Sequence, residues 1–275
     1  MPEARRINHP GPPAVQRCDA IPCHATQKTV MLRAGLPLLD AMVEAVDGAA
    51  AWFDLSGVDA DTLSFVRPAP APGDGHVAWY SATVTLEHAR IVQAGAHLGR
   101  RDRAPFAHIH GVWSDQAGNL CAGHLLSEVT VLGRDVQVDV LVLDGARMES
   151  VEDPETRFTL FRPISTADIT HPNAVLATAR PHEHIQEIIA TIAQECGLDR
   201  ATVKGIGSLV GTQFADGTGI ESYATEVLLT QGSVSDAGVD LNAVSVGFDG
   251  PQAQGRLARS KNTVCVTFEL VLVRE

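Results

Sequence analysis

The chain carries two long series of alternating apolar and polar segments in the same order, and no other feature restricts its fold as much. The stretch Phe106–His124 (FAHIHGVWSDQAGNLCAGH) lies over Gly238–Arg256 (GVDLNAVSVGFDGPQAQGR) at a constant offset without a gap. Gly118 falls on Gly250 and Gly123 on Gly255. After a short deletion, Val136–Leu143 (VQVDVLVL) lies over Val266–Val273 (VTFELVLV). Alternation with period two is the signature of half-buried strands, and internal repetition points to a duplicated unit. In each half the expected order is strand, helix, strands, a Gly-containing hairpin and a final strand.

Each half also holds one stretch of helical spacing. In the first, Leu36, Leu39, Met42, Val43 and Val46 recur at three and four residues before Asp47-Gly48. In the second, Pro181 is expected to open a helix whose stripe is Ile185, Ile188, Ile189, Ile192 and Cys196, ended by Gly197. The Pro-rich beginning of the chain reads as an arm over 1–25. Residues 26–165 form the first unit, 166–173 a linker and 174–275 the second unit. The expected class is α/β (α+β), each unit an antiparallel-rich mixed sheet with a packed helix.

Composition narrows the function. With 275 residues, 45% hydrophobic, the chain can bury sizeable cores. A formal net charge of −12 disfavours nucleic acid as a partner, since phosphate backbones are met by basic surfaces. No apolar run approaches the ~20 residues of a membrane span. Met1–Arg6 has no apolar stretch behind it, so it does not read as a secretory leader. Five scattered cysteines without a CxxC pair suit reduced thiols and a cytoplasmic location. Among the 21 Lys and Arg residues only Lys28, Lys204 and Lys261 are Lys, a bias that suits a GC-rich bacterial genome.

The chemistry concentrates in one hairpin. His108 and His110 share a strand face, and a turn centred near Ala117 would set His124 opposite His110. Three imidazoles would then converge. Such a set holds a divalent metal, most simply Zn²⁺ with a water or substrate in the fourth position. Alone, each histidine would read as an ordinary core or surface residue. Cys121 has the wrong parity to join them. Glu128, four residues beyond His124, is a candidate general base or a partner to the ligands if the strand stays regular. Arg101 and Arg103 in the preceding GRRDR loop, and Arg33 on the first strand, are candidate contacts for a small anionic substrate. In the second half Asp240, Asn242 and Arg256 occupy the equivalent positions. Arg256 would set a fixed cation where the metal belongs.

The run HIHGVWSDQAGNLCAGHLL resembles the signature of the PPC (plants and prokaryotes conserved) domain, with its HxH, short acidic and Gly turn, and GHLL. Val203–Leu209 (VKGIGSL) resembles the same family's Gly-Ile-Gly strand end. The similarity runs over Thr26–Pro163 and more weakly over Val175–Glu275. It implies two tandem PPC-like domains, the second degenerate at the metal histidines, and assembly as a homotrimer. It also implies that His108, His110 and His124 match the family's metal-binding histidines. Plant members of the family often carry an AT-hook with an Arg-Gly-Arg-Pro core, which this chain lacks, so DNA association would rest on family analogy alone. The functional expectation is a metal-binding protein, as a Zn-dependent hydrolase or lyase acting on a small anion. The alternative is a binding module without catalysis.

Overall fold

A computed structural model describes residues 7–275; the Met1–Arg6 stretch lies outside it. In the first half the elements are β1 (Cys18–Leu32), α1 (Leu38–Ala45), β2 (Ala51–Leu55), β3 (Val58–Val66), β4 (Pro68–Ala69), β5 (Trp79–Tyr80) and β6 (Val84–Arg101). These are followed by β7 (Ala104–Ser114), β8 (Leu120–Leu125), β9 (Val131–Leu132), β10 (Val136–Asp144), β11 (Ala146–Glu152) and β12 (Thr159–Ser165). The second half contains β13 (Ala174–Ala179), α2 (Ile185–Glu195), β14 (Ala201–Leu209), β15 (Thr212–Gln213), β16 (Gly219–Ile220) and β17 (Thr225–Ser235). It ends with β18 (Gly238–Val246), β19 (Gln252–Arg256) and β20 (Val264–Arg274). The fold is α+β, an antiparallel-rich mixed sheet with two helices.

Among the described residues one sheet has 16 strands, all but β11 and β12 in the path β19-β18-β17-β14-β20-β13-β1-β10-β2-β6-β7-β8-β3-β9. The junction is β1. Its residues Cys18–Cys23 pair with β13, and its residues His24–Leu32 pair with β10. Outward from β1 the two arms run in matching order: β10-β2-β6-β7-β8 on one side, and β20-β14-β17-β18-β19 beyond β13 on the other. The parallel pairing of β11 with β6 makes the sheet mixed.

Alternation along the strands sorts the residues into layers. Leu38, Ala41 and Met42 of α1 pack on one face of the first arm, against Phe53, Leu55, Ile109 and Trp113. Ile185, Ile188, Ile189 and Ile192 of α2 pack likewise on Val203, Val227, Leu241 and Phe268. The opposite faces meet in a shared middle layer, where Trp52, Met148 and Phe161 contact Ile206, Leu228, Val244 and Val271. The order through the molecule is therefore helix, sheet, sheet, helix.

Three sequence expectations change. The arm is not irregular throughout: β1 begins at Cys18, Ile7 is fully buried, and Arg17 pairs with Glu155 and Glu183. The second helix starts at Ile185, not at Pro181, because residues 182–185 spend their backbone groups on the β20 side. His182 N–H donates to Val264 O, Val264 N–H to Glu183 O, and Ile185 N–H to Asn262 O. The sheet also extends further than its alternation suggested, with β6 reaching Arg101 and with β11 and β12 between the two series.

The middle layer leaves no space at Gly95. A Cβ there would lie 2.4 Å from the Trp52 ring and 2.7 Å from Leu228 Cδ1 of the other arm. The cross-layer ion pair of Lys204 with Asp54, at 3.0 Å, is half-exposed and worth only about 0–1 kcal/mol, so apolar packing holds the layer together. Gly95→Val is expected to cost about 1–3 kcal/mol by overpacking, read as a lower urea midpoint at unchanged m-value.

Candidate metal centre

The hairpin of β7 and β8 turns through Asp115–Asn119. Asp115 accepts the Asn119 N–H and side-chain amide at 2.8 Å each, and Gly118 takes a positive φ of 83°. This turn sets the register in which His110 lies directly opposite His124 and Trp113 opposite Cys121. Period two then gives His108, His110 and His124 one face, toward the middle layer, while Cys121 packs with Trp113 under α1. Ring centroids of the three histidines lie 4.7, 4.9 and 5.6 Å apart, and one ligand atom from each falls within 4.8 Å of the others.

Hydrogen bonding fixes the rings. His110 Nδ1 lies 3.1 Å from the carbonyl oxygen of Val227, which can only accept, so Nδ1 carries the proton. His108 Nδ1 lies 2.7 Å from Glu269 Oε1, and donation to that carboxylate places its proton there as well. With both rings neutral, as metal ligands are, the two Nε2 atoms present lone pairs to each other at 3.1 Å. Two lone pairs that close repel unless a cation sits between them. Tetrahedral Zn–N bonds of ~2.0–2.1 Å would set two ligand nitrogens roughly 3.3 Å apart. Glu226 Oε1 stands 3.8 Å from His110 Nε2, and Glu226 Oε2 and Glu269 Oε2 are buried without a hydrogen-bond partner. This donor set, with its orphaned carboxylate oxygens, fits a divalent metal. Burial, with His108 nearby, holds the His110 and His124 imidazoles well below the usual histidine range, which keeps them neutral as ligands must be.

The centre opens into a cavity of about 340 Å³. Tyr80 closes one side, its hydroxyl 3.2 Å from His124 Nδ1. Glu128 lines the cavity, but not as a continuation of the strand. β8 ends at Leu125, and the Thr130 N–H bonds back to Leu126 O, so Glu128 sits on a turn at the cavity wall. Arg101 lines the cavity too, its guanidinium 4.0 Å over the Phe106 ring. Arg103 and Arg33 do not belong here. Arg103 occupies the tight β6–β7 turn with φ of 68°, and Arg33 is an exposed residue paired with Glu44 at 3.3 Å. In the second arm Asn242 lies opposite Arg256, and Arg256 donates to Asp240, so a fixed ion pair stands at the equivalent position.

Sequence reasoning missed Glu226, Glu269, Tyr80 and His97. The two carboxylates had a signal: each is a single charge inside an apolar strand, Glu226 in TEVLL and Glu269 in VCVTFELVLV. His97 lies on β6 opposite His108, packs edge-on against Trp52 at 4.8 Å, and is pushed down to about 3 by burial.

No protein-family model and no curated relative matches the chain. Among solved structures, a metal-containing protein of Archaeoglobus fulgidus is similar to it at 20% identity with TM-score 0.38, over 50% of this chain and 92% of that one. A plant- and prokaryote-conserved (PPC) protein of Pyrococcus horikoshii is similar at 16% identity with TM-score 0.38, over 52% of this chain and 96% of that one. At this level of likeness neither activity nor ligand carries over.

Histidines held neutral by folding make stability depend on pH. The unfolded chain binds protons at His97, His110 and His124 as pH falls through about 6.5, whereas the folded chain does not until far lower. Their contribution to stability is therefore full above pH 6.5 and is lost as pH falls below it, by about 1.4 kcal/mol per pH unit for each ring. Glu226, held protonated by burial, offsets the equivalent of one ring above the ordinary carboxylate range. Urea midpoints in chelator are expected to fall between pH 7 and 5, and less steeply in His97→Phe.

Proposed function

We propose that this chain is a metal-binding, PPC-like protein that uses Zn²⁺ held by His108, His110 and His124 to act on a small anionic substrate as a hydrolase or lyase. The observation that carries this reading is the approach of His108 Nε2 and His110 Nε2 to 3.1 Å, with an acceptor beside the other nitrogen of each ring. When bound, such a metal lowers the pKa of a water or polarises a carbonyl. The chain's own residues supply the rest. Glu269 and the Val227 carbonyl orient the rings, as partners behind metal-bound histidines do. Glu128 is placed at the wall to take or return a proton, and Arg101 to hold an anion. Tyr80 and Trp79 shield the centre from water.

The reading includes two tandem domains, 26–165 and 174–275, joined by 166–173, with the second degenerate at the metal positions. The matching strand order of the two arms supports it, as does the pairing of Asn242 with Arg256 where the first arm pairs His110 with His124. Assembly as a homotrimer belongs to the same proposal. Sedimentation at micromolar concentration is expected to exclude a 29.2 kDa species.

Elemental analysis of the purified protein is expected to find about one equivalent of metal per chain, with zinc predominant. His124→Ala abolishes it, whereas Cys121→Ala leaves it intact. Two equivalents per chain, or unchanged metal in His124→Ala, would refute the proposal.

A further inference from the structure

The walls of the cavity say more about its ligand than the histidines do. Phe106, Phe158, Phe161 and Trp79 line it, with Phe106 and Phe161 edge to face at 5.5 Å and Trp79 tilted against Phe158 at 5.8 Å. In a chain with only 5% aromatic residues, this gathers a large share of them around one space. At about 340 Å³ the cavity is near the small end of ligand sites, which run ~300–1,000 Å³, and suits a molecule of one ring.

Charge restricts the ligand further. Arg101 is the one Lys or Arg lining the cavity among the described residues, against Glu128, Glu226 and Glu269. Its guanidinium sits over the Phe106 ring, 4.0 Å from the centroid, and no carboxylate of the described residues pairs with it. Seated over the ring, the fork keeps N–H groups free to meet a planar, singly charged acceptor.

We infer that the site binds a one-ring aromatic carboxylate, its carboxylate on the Arg101 fork and its ring against the Phe106, Phe158 and Phe161 wall. The inference rests on the proposed metal reading for what the far end of the ligand meets, but the recognition of its anion does not. Titration calorimetry with benzoate, cyclohexanecarboxylate and acetate as probes, on zinc-loaded and on chelator-treated protein, tests it. Benzoate is expected to bind at least about tenfold more tightly than acetate and more tightly than cyclohexanecarboxylate. Arg101→Gln is expected to weaken benzoate at least about tenfold while metal content stays unchanged, which also reports an intact fold. The inference is overturned by equal affinity for benzoate and acetate, by no benzoate binding up to about 10 mM, or by unaltered benzoate affinity in Arg101→Gln. Absence of metal with Arg101-dependent benzoate binding retained would sink the metal reading and leave this one standing. Metal present without a preference for benzoate would do the reverse.

Discussion

The contact between His108 and Glu269 is the constraint on which the rest of the site depends. Glu269 is 1% exposed and sits in a strand otherwise dominated by Val, Leu and Phe. Taking a carboxylate that far from water costs several kcal/mol unless a partner meets it. The partner comes from the other arm, at 2.7 Å. The bond therefore ties the two arms of the sheet together and at the same time turns Nε2 of His108 toward the other histidines. Orientation of the ligands and cohesion of the middle layer are one interaction. Val227 does the same for His110 through a backbone carbonyl, so neither leading ring is held by its own arm alone.

That division of labour explains how much could be read in advance. The histidine parity was legible because it depends only on period two and on a turn whose residues, Asp115, Gly118 and Asn119, announce themselves. The register that puts His110 against His124 follows from that turn. The helices were legible in their stripes but not in where the second begins, because backbone pairing of residues 182–185 with the β20 side is a tertiary fact. Glu226 and Glu269 were out of reach as site residues. A charge in an apolar strand signals burial, but only the folding of one arm over the other decides whose histidine it meets. Glu128 reached the cavity by a route the strand pattern does not contain, through a turn after Leu125.

The two arms run in the same strand order yet carry different chemistry on it. At the position of His110 and His124 the second arm has Asn242 and Arg256 in the same pairing, and an exposed ion pair with Asp240 replaces the imidazoles. In return the second arm contributes what the first lacks, two carboxyl groups and a carbonyl aimed across the layer. A histidine face and a carboxylate face are each poor surfaces in isolation, and together they make a buried polar centre in which most groups are met.

The first strand has a consequence for how such a chain reaches its native state. β1 gives its first six residues to β13 and its remainder to β10, and β13 is completed by β20, the last of the described strands. The N-terminal edge of the molecule is thus closed only by the C-terminal end. During synthesis, most of the first arm can collapse around α1, yet Cys18–Cys23 has no neighbour until residues 174–179 emerge and no sealed sheet until 264–274 do. An unpaired strand edge is exposed over that interval, which is where a nascent chain of this kind is most open to capture by another copy. Once the seam is sealed, loosening either end opens the junction between both arms and uncovers the apolar layer they share.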